Sequence, residues 1–347
     1  MNITLPQITQ RTRNLGDRVH RDESVFTAEY DGVVVQRAIL SGKIVIVKNR
    51  RSVGYPATAA TEHTSHEAFI WSLLHHRNSR HENIHPLLGI VTTFDNTVSI
   101  VAEYVARGDA HDCVQDPRVD TASLLLGIAH ALHYLHSYRL GPIYHGDVRG
   151  KNVLVTNNGH ALLTDFSRSY FHDRASNTIY RPPLVGALRW MAPEGIDDID
   201  DIGGRSPTDK RDVWAFAMTV LELFTGKIPF EDIKVQRNLL VRVSKGMPDR
   251  PHRMRDEWWT LCTPCWEFDP TLRPTMIDLV LGIERIIASR SPQGGDGDDD
   301  GDGDESNKVL ISQVMNKVTR ATRLKPHFSK TVTSLSSYRT QPISIIL

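Results

Sequence analysis

The stretch "IYHGDVRGKNVLVTNNGHALLTDF" sets Asp147 five residues before Asn152, with Asp165 thirteen residues beyond it. Carboxylate and amide oxygens are hard donors suited to small divalent cations, and a carboxylate can also orient a hydroxyl and hold its proton. The apolar runs Val153-Leu154-Val155 and Ala161-Leu162-Leu163 between them would pin such a loop to a core. A single aspartate in apolar surroundings is more often a cap or turn residue, so the chemistry depends on elements that bring the three together.

Those elements are readable on both sides. "GVVVQRAIL" and "KIVIVKN" are β-branched runs separated by Ser41-Gly42, a hairpin signal. In "TSHEAFIWSLLHHR" the residues Ala68, Trp71, Leu74 and His75 recur at helical spacing. "HPLLGIVTTFDNTVSIVAEYV" reads as two further strands around Asp95-Asn96, and beyond Gly108 the pattern turns helical in "TASLLLGIAHALHYLHSY" and "RDVWAFAMTVLELFTG". The expected order is a strand-rich smaller lobe followed by a helix-rich larger one, ending near Ile287.

Composition narrows the class. A chain of 347 residues that is 40% hydrophobic can bury one large core or two moderate ones. Lys plus Arg balances Asp plus Glu at 41 each, so no overall field draws it to nucleic acid. Three cysteines make no disulfide framework, the opening residues lack the apolar core of a signal peptide, and no membrane span is evident. An intracellular, cytoplasmic location is the expectation. Residues 296–305, "DGDDDGDGDE", are almost purely acidic, whereas residues 306–347 carry basic residues and no acidic one.

Taken together, the landmarks resemble the eukaryotic protein kinases. His145-Gly146-Asp147-Val148-Arg149-Gly150-Lys151-Asn152 is similar to the H-R-D-L-x-x-x-N catalytic loop, and Asp165-Phe166-Ser167 to D-F-G. Met191-Ala192-Pro193-Glu194 resembles the A-P-E that closes the activation segment, "CWEFDPTLRPTM" the stretch supplying Arg273, and Val45-Ile46-Val47-Lys48 the V-A-I-K of the small lobe. The resemblance spans about residues 25–288 and is closest to the tyrosine-kinase-like group, with a likeness to kinases of mushroom-forming fungi.

The resemblance implies an α+β, two-lobed protein-kinase-like fold: an N-terminal antiparallel sheet with one helix, and a mainly helical C-terminal lobe. It implies a kinase domain over 25–290 (small lobe 25–107, large lobe 108–290); composition adds a flexible arm over residues 1–24, an acidic linker over 291–305 and a basic tail over 306–347 that is a candidate for part-helical structure. The cofactors implied are ATP and Mg²⁺. Asp147 would orient the substrate hydroxyl, Asn152 and Asp165 would hold Mg²⁺, Lys48 would grip phosphate and pair with Glu67, and Arg149 would steady the transferring group. Val35 and Ile46 would line the adenine pocket, Glu103 and Val105 would offer it backbone hydrogen bonds, and Leu154 would form its floor. Glu194 with Arg273, and Asp212 beneath the catalytic loop, would be structural. The Cys262/Cys265 pair and the histidines from His63 to His85 are expected to pack rather than bind metal.

Some positions depart from the pattern. Ala28, Tyr30 and Val33 stand where the family has the glycines of its phosphate loop, Gly146 replaces the arginine that reads activation-segment phosphate, Ala187 replaces a threonine, and Ile46 and Ser167 replace alanine and glycine. The expected function is a protein kinase, Ser/Thr ahead of Tyr, acting on a protein substrate; the competing expectation is a pseudokinase scaffold. The tail is a candidate contact for a partner protein or anionic lipid.

Overall fold

The computed structural model describes residues 3–22, 28–30, 33–50, 57–75, 80–94, 97–180, 187–197, 208–252 and 254–289. The chain divides into Met1–Gly294 and Gly295–Leu347. The acidic linker and basic tail lie outside the described residues, as do Asp95-Asn96 at the tip expected between two strands.

The smaller lobe comprises α1 (Leu5–Thr9), β1 (Val19–Arg21), β2 (Ala28–Tyr30), β3 (Val33–Leu40), β4 (Lys43–Arg50), α2 (Ala57–Leu74), β5 (Leu87–Val91) and β6 (Ser99–Glu103). Its antiparallel sheet runs β1-β3-β4-β6-β5, with β2 also on β3. The β3–β4 hairpin turns where expected: Ser41 and Gly42 both have positive φ, 52° and 78°, the backbone of a tight two-residue turn. Along β4 the pleat decides which side chains face inward. Val45 and Val47 are 2% and 0% exposed and pack with Leu15, Val19, Val91 and Val101, so Ile46 and Lys48 face the opposite side, toward the cleft.

The larger lobe follows with α3 (Ala110–Cys113), α4 (Thr121–His136), β7 (Ile143–Tyr144), β8 (Val153–Val155), β9 (Ala161–Leu163), β10 (Tyr170–Asp173), β11 (Thr178–Tyr180), α5 (Pro193–Asp197), α6 (Asp209–Thr225), α7 (Gln236–Val243), α8 (Asp256–Cys262) and α9 (Met276–Ala288). Asp120 caps α4 through the Ala122 and Ser123 N–H groups, and Gly226, at φ 67°, ends α6 where "LFTG" predicts a stop. The apolar faces of both helices enter one core with α9 and the aromatic residues of α2. The two-lobed α+β fold is the one expected.

The start of the chain departs from expectation. Residues 3–22 are not a loose arm: Ile8 is fully buried in the main core, Leu15 and Val19 are 5% and 4% exposed, and β1 pairs Val19 with Leu40. The small-lobe sheet therefore begins at Val19 rather than at residue 25. The physical reason is tertiary. Ile90 N–H donates to the Arg13 carbonyl at 2.9 Å and Leu15 N–H to the Ile90 carbonyl at 2.8 Å, which ties a segment without periodicity of its own to the edge of β5.

Candidate functional site

Lys48, Glu67 and Asp165 meet at the junction of the lobes. Lys48 Nζ, from the cleft face of β4, lies 2.8 Å from Glu67 Oε1 on α2 and 2.9 Å from Asp165 Oδ1 after β9. Glu67 and Trp71 are one turn apart on α2, so the helix face that presents Glu67 also packs Trp71 on Phe166, ring centroids 5.5 Å apart. Phe166 is fully buried and touches His145 from below, at 5.4 Å. This helix face thus packs on Phe166 through Trp71 and is linked to Asp165 through Lys48. Asp165 takes a left-handed backbone, φ 65°, and accepts the Ser167 N–H at 3.3 Å.

Burial would lower the Lys48 ammonium, but the Asp165 and Glu67 carboxylates outweigh it and raise it above its ordinary value. Burial also opposes ionisation of Asp165, yet Lys48 and the bonds from Ser167 hold it well below the usual carboxylate range. Glu67 goes the other way: burial pushes it up to about 7, against the pull of Lys48.

The loop below is equally ordered. Asn152 Nδ2 donates to the Asp147 carbonyl at 2.8 Å and to Asp147 Oδ2 at 2.9 Å. Asp147 Oδ1 is buried without a hydrogen-bond partner, 3.4 Å from Arg149 Nε, itself unmatched by a hydrogen bond. Asp212 accepts the His145 N–H at 2.7 Å and the Gly146 N–H at 2.9 Å, holding the loop's backbone as expected. Glu194 and Arg273 form a two-pronged ion pair, 2.6 and 2.9 Å, with the arginine side chain fully buried.

Two contributors were not legible in advance. Arg168 sets Nη1 3.3 Å from Asp147 Oδ2. Glu222, buried inside α6, accepts from Gly150 N–H at 2.9 Å and Trp190 Nε1 at 2.8 Å, and pairs with His111 Nδ1 at 2.8 Å, a bond that raises His111. The available signal was a glutamate within an otherwise apolar helical run.

Val35, Ile46 and Leu154 all lie on the half-buried sides of their strands, opposite fully buried neighbours. Ile46 pairs with Ala102 across β4 and β6. The Glu103 carbonyl already accepts from His85 Nε2 at 2.9 Å, which leaves one lone pair for a further donor; Val105 is half-buried. The β2–β3 register sets Ala28 opposite Val35 and Tyr30 opposite Val33, so the positions of the expected phosphate-loop glycines carry other residues here.

Residues 25–283 match the protein tyrosine and serine/threonine kinase family. The chain belongs to this family. Among curated relatives it is 31% identical over 216 residues to the mitogen-activated protein kinase kinase kinase MST11 of Pyricularia oryzae, covering 59% of this chain and 22% of that protein. It is 29% identical over 214 residues to the RGS domain-containing serine/threonine-protein kinase A of Dictyostelium discoideum, 60% of this chain and 18% of the relative. It is 28% identical over 237 residues to fibroblast growth factor receptor 1 of Xenopus laevis, 62% and 28% respectively. The match thus spans only 18–28% of the length of these relatives.

Members of the family use ATP with Mg²⁺, and the donors present suit that pairing. No group of three or more His, Cys, Asp or Glu among the described residues could hold a metal by itself. Asp165, kept ionised, and Asn152, whose side-chain oxygen remains once Nδ2 is spent on Asp147, each carry a hard oxygen donor of the kind such a cation would take. Mg²⁺ needs few protein ligands when phosphate oxygens and water supply the rest. Of the histidines in this region, His66 Nε2 meets the Ser169 carbonyl at 2.7 Å and His85 bonds Thr164 and Glu103, while His76 lies outside the described residues. Cys262 and Cys265 are free thiols buried in the core. No described helix is long and apolar enough to cross a membrane.

Proposed function

We propose that this chain is a protein kinase of the tyrosine-kinase-like group that transfers the γ-phosphate of Mg-ATP to a protein hydroxyl. The observation that carries the reading is that Lys48 contacts both Glu67 and Asp165, at 2.8 and 2.9 Å, in a chain whose Asp147 Oδ1 is buried without a hydrogen bond. A buried carboxylate oxygen without a donor is costly unless a ligand supplies one, and a substrate hydroxyl is such a donor.

In this reading Lys48 grips phosphate oxygens, and Glu67 holds it in place. Asn152 and Asp165 hold Mg²⁺, which supplies charge neutralisation on the phosphates. Asp147 accepts the hydroxyl hydrogen at Oδ1 and keeps the proton as the oxygen attacks, with Arg149 beside it offsetting developing charge. Arg149 rather than Lys151 serves this role, because Lys151 Nζ is turned toward Asp112 at 2.7 Å and Asp109 at 3.3 Å. That supports Ser or Thr over Tyr as acceptor. Val35, Ile46 and Leu154 frame the adenine, and the backbone of Glu103 and Val105 bonds its edge. A likeness to kinases of mushroom-forming fungi, an intracellular location and a tail that contacts a partner protein or anionic lipid belong to the same proposal on sequence grounds.

The pseudokinase reading draws support from one feature, the loss of glycine at 28, 30 and 33. The two are separated by transfer of label from γ-labelled ATP to a generic protein substrate. The parent incorporates label and Asp147→Asn does not, while both bind nucleotide equally. Equal incorporation by parent and variant would overturn the role of Asp147, and no incorporation by either would favour the scaffold.

A further inference from the structure

The Asp147 side chain is 3% exposed, and its two oxygens differ. Oδ2 accepts from Asn152 Nδ2 at 2.9 Å and from Arg168 Nη1 at 3.3 Å. Oδ1 makes no hydrogen bond, with Arg149 Nε 3.4 Å away. An ionised carboxylate buried this deeply is costly unless charged or hydrogen-bonding groups surround it, and a guanidinium supplies both charge and directed donors.

Arg168 does not belong to the loop that carries Asp147. It ends the one-turn helix Phe166–Arg168 that follows Asp165, and this turn meets the loop at three consecutive residues. Ser169, fully buried, donates its Oγ to the His145 carbonyl at 3.1 Å. The Arg168 carbonyl fills the space beside Gly146, where an added Cβ would stand 2.3 Å from it. The Arg168 guanidinium then reaches Asp147. Position 146 can carry no side chain without displacing this turn, so the charge beside Oδ2 arrives across the junction, from residue 168. A contact that blocked the site would take the free oxygen. Arg168 instead shares the oxygen that Asn152 already holds and leaves Oδ1 open to a donor.

We propose that Arg168 is a positioning residue for phosphoryl transfer: with Asn152 it holds Asp147 by Oδ2, so that Oδ1 is aimed at the substrate hydroxyl, and it ties that aspartate to the segment carrying Asp165. The proposal rests on the kinase reading above. The guanidinium acts on the group that receives the proton and not on the nucleotide. Its loss therefore lowers kcat and leaves KM for ATP in place, the pattern of an interaction that matters in the transition state.

The test compares the full chain as parent, Arg168→Met, Arg168→Lys and Arg168→Ala in transfer of label from γ-labelled ATP to dephosphorylated casein. Arg168→Met, which keeps length without charge, lowers kcat by about ten- to a hundredfold, the loss of roughly one charge-assisted hydrogen bond, with KM for ATP within about twofold. Arg168→Lys, which keeps the charge without the planar fork, exceeds Arg168→Met by at least about threefold. Millimolar guanidinium ion raises the activity of Arg168→Ala by at least about threefold and leaves the parent unchanged, a response that a general weakening of the fold would not give. A kcat for Arg168→Met within about threefold of the parent would overturn the proposal, as would a rise in kcat, the mark of a guanidinium that obstructs the site. Unfolding in urea gives a readout independent of turnover. Arg168→Met raises the unfolding constant at least about threefold more in the parent than in Asp147→Asn, and equal effects in the two backgrounds would overturn the contact. Where the parent transfers no phosphate, the kinase reading fails, and this cycle decides the contact by itself.

Discussion

Asn152 donates one amide nitrogen to both the carbonyl and the side chain of Asp147, at 2.8 and 2.9 Å, leaving Asp147 Oδ1 alone without a hydrogen bond. The amide locks the rotamer of the carboxylate, so the free oxygen has a fixed direction. Asn152→Ala removes this lock together with one of the two proposed cation donors. We expect kcat to fall by at least about a hundredfold, the lower end of what positioned proton transfer contributes. Steady-state kinetics with labelled ATP reads the effect, and a change below threefold would contradict the assignment.

The pH dependence of stability follows from Glu67. Its carboxyl is raised from 4.5 to about 7 in the folded state by burial, so the folded protein binds a proton more tightly than the unfolded chain. Its contribution to stability is then fully present below pH 4.5 and is lost as pH rises through about 7. Glu67→Gln cannot titrate. The stability of the parent relative to this variant should decline by about 1–3 kcal/mol between pH 4.5 and pH 8, read from urea unfolding. Parallel profiles would show that the group titrates normally. Asp165, whose acidity is enhanced by Lys48, has the opposite sign: its contribution is present above the ordinary aspartate range and disappears in acid.

Nucleotide affinity is the property most exposed to the missing glycines. Backbone amides approach phosphate closely only where side chains do not intervene, and each hydrogen bond to a charged group is worth about 1.5–3 kcal/mol. The combined change Ala28→Gly, Tyr30→Gly and Val33→Gly is expected to tighten Mg-ATP binding by about tenfold or more, by titration calorimetry. An unchanged or weaker Kd would place the phosphates away from this hairpin.

Gly146 cannot simply be returned to the family's arginine. Its φ is +76°, and an added Cβ would stand 2.3 Å from the Arg168 carbonyl. Gly146→Ala should therefore destabilise the fold by about 1–3 kcal/mol and lower activity, because it forces apart the catalytic loop and the turn carrying Arg168. Denaturant midpoints check this; wild-type stability would mean that the turn relaxes freely.

What could be read in the amino-acid sequence was what rests on order and local period. The hairpin at Ser41-Gly42 and the helices around Leu124 and Trp214 follow from turn signals and hydrophobic repeats, whereas the pairings Lys48–Glu67 and Glu194–Arg273 were implied by the resemblance to the kinase family. The packed N-terminal segment did not, because Ile8, Leu15 and Val19 are isolated apolar residues in a polar stretch interrupted by Pro6 and Gly16, and their burial arises only on docking beside Gly89. Glu222 escaped for a related reason. Its partners Gly150 and Trp190 lie 72 and 32 residues away, so nothing local distinguished it from a tolerated polar residue in α6. Arg168 reaches Asp147 only because a one-turn helix follows Phe166, a geometry set by the left-handed backbone of Asp165.

The central claim is that Lys48, Asn152 and Asp165 form one Mg-nucleotide site facing Asp147. Titrating ATP into the parent and into Asp165→Asn, with and without Mg²⁺, tests it most directly. The account predicts that the parent binds ATP more tightly when Mg²⁺ is present and that Asp165→Asn loses this enhancement. Identical titrations in all four conditions, or no binding by the parent at saturating Mg-ATP, would contradict it.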